Sequence, residues 1–221
     1  NYQLQLNYYR EFGAHDVGLT GVWTRQEMAT GSMIPIRRED WVFRATYSYD
    51  DRYFVEYNGA YNGSEKFGKG YRFGFFNSGA IGWRVSEEKF WEPVRTWWDT
   101  LKFRASYGEI GDDTGARFLY MDQWAYGGNT KMVLTGFGNG YTDGSIYQFY
   151  RQSALGNPDA HWEKVKKMNF GIDYSFLNGM IAGTVEIFKD KRNDILINGG
   201  DRSMPSYFGQ TPPTANLGKA E

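Results

Sequence analysis

Residues 41–61 read WVFRATYSYDDRYFVEYNGAY. Trp41, Phe43, Ala45, Tyr47 and Tyr49 alternate with Val42, Arg44, Thr46 and Ser48. Past Asp50-Asp51 the pattern resumes, with Tyr53, Val55, Tyr57, Gly59 and Tyr61 set against Phe54, Glu56, Asn58 and Ala60. In a strand, successive side chains point to opposite faces, so this period of two gives one aromatic or apolar face and one polar face. Two such runs joined by a short acidic link predict an antiparallel hairpin.

The same alternation extends outward in both directions. It covers Gln3 to Tyr8, Leu101 to Gly108 and Met168 to Ser175, and further strands are expected at Val17–Trp23, Tyr71–Val85 and Ile181–Ile197. The total is about eight strands by this pattern. Many reach the roughly 9–11 residues that a tilted strand needs to cross a bilayer. Connections alternate in length. Short links fall at residues 10–14, Asp50-Asp51 and Leu177-Asn178-Gly179, and long ones at 28–40, 62–70 and roughly 110–160. Short turns at one end and long loops at the other are the habit of outer-membrane barrels. The link Ser86–Thr100 is the exception, a longer one on the short-turn side. Aromatic residues cluster beside the short turns, where rings with a polar handle suit a membrane–water interface.

Composition narrows the class. Aromatics make up 19% of the 221 residues, 28 are glycine and hydrophobic residues total only 41%; mean hydropathy is -0.63. No run approaches the roughly 20 apolar residues of a spanning helix, whereas a barrel strand shows lipid only every second residue and keeps a low average. Net charge is -1, with 25 basic and 26 acidic residues interspersed, so no nucleic-acid surface is expected. Cysteine is absent, which removes disulfides and thiolate chemistry. Asn1 already lies in a strand pattern with no leader before it, so the chain reads as an internal stretch of a longer polypeptide.

Several segments resemble the SusC/RagA family of TonB-dependent outer-membrane transporters. They are residues 44–90 (RATYSYDDRYFVEYNGAYNGSEKFGKGYRFGFFNSGAIGWRVSEEKF), LKFRASYGEIGDD from Leu101, residues 157–197 and ANLGKAE from Ala215. Tyr61-Asn62-Gly63-Ser64 and Phe76-Asn77-Ser78 depart from the family's usual Arg-Asp-Gly-Ser and Phe-Pro-Ser. The resemblance implies an all-β, antiparallel transmembrane β-barrel segment, residues 1–221 being part of a TonB-dependent receptor barrel of about 22 strands. The plug domain and TonB box are not seen in this stretch. It further implies a bacterial outer-membrane location and import of glycans or peptides. The implied partners are a SusD-like surface lipoprotein, the TonB–ExbB–ExbD complex acting through the plug region, and outer-membrane lipid.

No enzyme, cofactor or metal is expected. Residues 63–70 approach a P-loop, but Gly70 stands where Ser or Thr is needed and no helix follows. The two histidines, His15 and His161, are far apart, with His15 expected at a strand start and His161 beside Trp162 at a membrane edge. Asp112-Asp113 lacks calcium-loop spacing. Inward Arg44, Thr46, Glu56, Asn58, Lys102, Arg104, Ser106, Asn169 and Asp173 are expected to line a wet lumen or meet the plug. In the long loop, Tyr120, Trp124, Tyr126 and Tyr141 are the candidate substrate-binding residues, since aromatic rings stack on sugars and pack on peptides. Packing of those rings into a small core of the loop itself is the competing role. The rival function is a soluble, envelope-located glycan-binding β-protein in which the aromatics form a core.

Overall fold

The computed structural model describes residues 1–31, 34–126 and 150–221. In chain order the strands are β1 (Tyr2–Phe12), β2 (His15–Met28), β3 (Ile36–Tyr49), β4 (Tyr53–Ser64), β5 (Phe73–Arg84), β6 (Trp98–Asp112), β7 (Gln123–Tyr126), β8 (Tyr150–Ala154), β9 (Glu163–Phe176), β10 (Ile181–Ile197) and β11 (Ala215–Ala220). Nine of them form one antiparallel sheet in the order β1-β2-β3-β4-β5-β6-β9-β10-β11, while β7 and β8 pair with each other inside the β6–β9 connection. All eight expected strands are present. The ninth, β11, is a strand of only six residues that pairs with β10 past a bulge, where Asp194 takes φ 59° and the register shifts between Arg192 and Leu196. The sheet is open, with β1 and β11 at its edges.

Turn chemistry fixes the register. Asp50 and Asp51 both take positive φ, and the Arg52 amide donates to the Tyr49 carbonyl at 2.9 Å. That is the conformation two-residue hairpins favour, and aspartate tolerates it. Asn178 and Gly179 do the same between β9 and β10. From these turns Phe43 falls opposite Gly21 and Gly59, and Ile172 opposite Phe103 and Val185. A slip of one residue would invert every face.

Apart from Arg10 on β1 and Asn77 on β5, one face is apolar over a band of similar length on the strands that follow. On β9 it runs Met168, Phe170, Ile172, Tyr174, Phe176 and then gives way to Lys166 and Lys164. On β3 it runs Trp41 to Tyr49, with Glu39 and Arg37 beyond, and on β2 from His15 to Trp23, with Arg25 and Glu27 beyond. Each span is about 26 Å of strand at about 3.3 Å per residue. A tilt near 40° turns that into a height of about 20 Å, close to the roughly 25 Å apolar band of outer-membrane barrels. Aromatic pairs mark both limits. Tyr49 and Tyr53 stack at one, with His15 at 4.8 Å from Tyr49; Trp23 and Trp41 meet at the other, 5.9 Å apart, both donating to Glu39. The sequence pattern located only the band beside the short turns. The second band is visible once register aligns Trp23 with Trp41 and Tyr61.

These outward side chains meet no second layer among the described residues. Phe43 is 46% exposed and Ile187 70%, and the main contacts run between neighbouring strands. A soluble sandwich with these rings as its core would need that second layer. Among the described residues the buried hydrophobic cluster, Phe67, Phe76 and Trp162, lies at the long-loop end of the opposite face. Trp162 is 3% exposed and donates to the Arg72 carbonyl, so it anchors the loops and is not an interfacial ring. His161 beside it donates from Nδ1 to the Asp159 carbonyl. Gly111 is required there, because a Cβ would sit 2.0 Å from the Phe76 ring.

At the short-turn end Glu88 accepts hydrogen bonds from Tyr53 and from Trp83, at 3.1 Å, and lies 3.5 Å from Arg52. The Tyr53 hydrogen bond first, then Trp83 and Arg52, hold its carboxyl below the usual carboxylate range against the opposing effect of burial. A depressed folded-state pKa stabilises above the ordinary value near 4.5 and loses that stabilisation as pH falls through the lower folded value. Glu88→Gln should therefore lower the unfolding midpoint at about pH 7, with the difference from the parent shrinking toward about pH 3, so that the variant's acid limb is flatter. The bilayer-facing band makes a sharper demand: Ile172→Arg should cost about 2–4 kcal/mol in bilayer unfolding titrations. Ser106→Arg on the other face should leave the midpoint nearly unchanged.

Candidate functional site: the polar inner wall and its loops

The face opposite the apolar band is polar because every second residue of the same strands is. Thr46, Glu56, Lys102, Arg104, Ser106 and Asn169 all line one hollow of about 460 Å³ that spans β1 to β6 and β9, so the sheet curls toward this side. Arg44 meets Glu56 at 2.9 Å across β3 and β4, and Asn58 donates to the other oxygen of that carboxylate. All nine residues expected to face inward lie on this polar side of the sheet.

Arg104 organises the centre. Its Nε donates to Asp173 at 2.8 Å, and Nη2 donates both to Asp173 at 3.0 Å and to Glu186 at 2.8 Å. Thr184 donates to Asp173 as well. This reach across three strands passes over Gly171, whose absent side chain leaves the space: a Cβ would sit 3.2 Å from Arg104 Nη2. Glu186 was not singled out from sequence, although its even position on β10 assigns it to the polar face. Phe54 turns its ring inward here, with Lys102 Nζ 4.4 Å and Arg84 5.4 Å from its centre, an arrangement in which the ring face attracts the cations. All three ion-paired groups of the Arg104 cluster remain 30–43% exposed, so the network is wet, and each pair contributes at most about 1 kcal/mol.

The loop end carries a second charged set. Arg38 bonds Asp40 and lies 3.5 Å from Asp113, Lys66 donates to the Asp113 carbonyl, and Arg117 bonds Glu65. Asp112 accepts from Thr114. These carboxylates are thus committed to protein partners.

The four aromatic candidates separate. Trp124 and Tyr126 share one face of β7 and are 64% and 50% exposed. Tyr126 packs edge-on to Tyr150 at 5.9 Å, a residue not chosen from sequence. Tyr120 is half-buried beside Gly68 and so packs the loop. Tyr141 lies outside the described residues.

No family model matches the chain. It is 34% identical over 154 residues to the TonB-dependent receptor SusC of Bacteroides thetaiotaomicron, covering 69% of this chain and 14% of that protein. It is 23% identical over 246 residues to a TonB-dependent receptor of Formosa agariphila, covering 98% of this chain and 23% of that one. The fold is similar to a solved structure of the RagAB peptide importer in its closed-closed state, with a TM-score of 0.79 at 17% identity, over 98% of this chain and 26% of the neighbour. The open-open state gives 0.74. The chain spans less than a quarter of these curated relatives. With that sequence similarity, and a sheet that reproduces part of a RagA barrel, the chain belongs to the SusC/RagA group of TonB-dependent receptors of the outer membrane.

Proposed function

We propose that this chain is a portion of the wall of a TonB-dependent importer that carries glycans or peptides across the outer membrane, without covalent chemistry. The observation that carries the reading is the division of one nine-stranded sheet into a lipid-length apolar face and an ion-paired, solvent-accessible face. Hydrocarbon offers no hydrogen bonds, so the edges at β1 and β11 require further strands to close the cylinder. A plug inside that cylinder would meet the Arg104 and Arg44 clusters, and TonB with ExbB and ExbD would act through it. A SusD-like surface lipoprotein would sit over the long-loop end, where Trp124 and Tyr126 offer rings to substrate or to that lid. Tyr120 has a supporting part, and Tyr141 belongs to the same loop.

Deletion of the complete receptor should abolish growth on one defined class of polymer, tested with soluble glycans and with oligopeptides as sole carbon source. In the full-length receptor, the double variant Trp124→Ala, Tyr126→Ala should raise the half-saturating concentration of that polymer several-fold while surface expression stays unchanged. Unaltered growth on every glycan and peptide after deletion would contradict import.

A further inference from the structure

The β5–β6 connection is the one long link at the short-turn end, and its geometry is not that of a solvent loop. The chain leaves β5 and makes two 3-10 turns, Val85–Glu87 and Lys89–Trp91. Val85 and Ser86 are buried, 5% and 2% exposed. Arg95 then closes the segment on itself by donating to the Ser86 carbonyl at 2.8 Å. The return limb is tied to the neighbouring hairpin: the Leu177 amide donates to the Trp97 carbonyl at 3.0 Å, and the Gly179 amide to Asp99 at 2.8 Å. A link built this way holds a fixed position.

What it holds in place is aromatic. Phe90 meets Trp91 edge-on, Trp91 meets Trp98 at 5.1 Å, and Trp98 and Trp97 both pack on Phe176. Phe176 and Tyr174, 5.6 Å apart, are the last two members of the apolar band on β9. The rings of the connection therefore continue the outward, lipid-facing surface of the sheet past its short-turn limit. Yet Phe90 is 62% exposed and Trp97 53%. The indole nitrogens of Trp91 and Trp98 are satisfied by the carbonyls of Trp98 and Thr100, which leaves their ring faces free for apolar surroundings. Lys89, Glu92 and Arg95 stand between the aromatic pairs and are exposed. Exposed rings interleaved with exposed charges is the composition of a segment lying in the plane of an interface.

We propose that residues 85–98 form an interfacial foot that rests in the headgroup–acyl boundary of the periplasmic leaflet, its occupant being phospholipid. Phe90 and Trp97 enter the boundary, to the depth of about 5–10 Å that interfacial elements reach. The foot fixes the height of the wall against the inner leaflet and braces the β5–β6 and β9–β10 turns as one unit. Continuity with the lipid-facing band selects lipid over a periplasmic protein as the occupant.

The test uses nitroxide labels on single cysteines in the full-length receptor, reconstituted in phospholipid bilayers. Phe90→Cys reports the foot, Val185→Cys the middle of the apolar face, and Ala14→Cys an ordinary tight turn at the same end. Collision rates with oxygen, which concentrates in lipid, and with a water-soluble nickel chelate give the depth. The expected result is an oxygen-to-nickel ratio at Phe90 several-fold above that at Ala14 and below that at Val185. A Phe90 label as nickel-accessible as Ala14, with Val185 still in lipid, overturns the foot and leaves the barrel wall standing. Protection of Phe90 from both reagents means that protein covers it, and overturns lipid as the occupant. A nickel-accessible Val185 would overturn the wall itself.

Discussion

Backbone amides and carbonyls have no partner in hydrocarbon except each other, and that constraint shapes every feature of this sheet. An unpaired group in lipid costs several kcal/mol, so strands must cross the whole apolar layer while paired along their length. The continuous chain of antiparallel pairings from β1 through β6 to β9 and β10 meets that requirement. The same layer fixes the side chains. Outward residues stay apolar from His15 to Trp23, from Trp41 to Tyr49 and from Met168 to Phe176, then turn charged at the long-loop end. Two neighbouring strands and a third far along the chain share one span because one slab of lipid limits them all.

The opposite face escapes the constraint and is used differently. Partial exposure to solvent lowers the cost of charge, so Arg104 can serve both Asp173 and Glu186. Such pairs contribute modestly to stability; their more important effect is to hold a defined pattern of charge on a surface that a plug or a passing solute would meet. Glycine is placed where that pattern needs space, at Gly171 under Arg104 and at Gly111 under Phe76. Above the membrane the loops have no lipid to order them and build a small core of their own from Phe67, Phe76 and Trp162.

Much of this was legible in the sequence, for a physical reason. Within the lipid layer one face must be apolar and the other must not, so residues 41–61 announce both strand and orientation. Where strands rise past the lipid, both faces turn polar and the signal fades; that is why β2 and β3 extend to Met28 and from Ile36, beyond the expected ends. The six residues of β11 are too few to show a clear alternation by themselves. Pairing partners were not legible, since Glu186 and Tyr150 matter only through residues brought beside them by register. Trp162 looked like an interface ring because composition does not distinguish a tryptophan facing lipid from one anchoring a loop.

The two-faced strand is tested most directly by thiol accessibility along β9. The 221 residues contain no cysteine, so positions from Met168 to Phe176 can be replaced one at a time in the complete receptor within the outer membrane. A water-soluble maleimide should label Asn169, Gly171, Asp173 and Ser175 variants, and spare those at Met168, Phe170, Ile172 and Tyr174. Labelling without a period of two, or equal labelling of both sets, would contradict a wall with lipid on one side and water on the other.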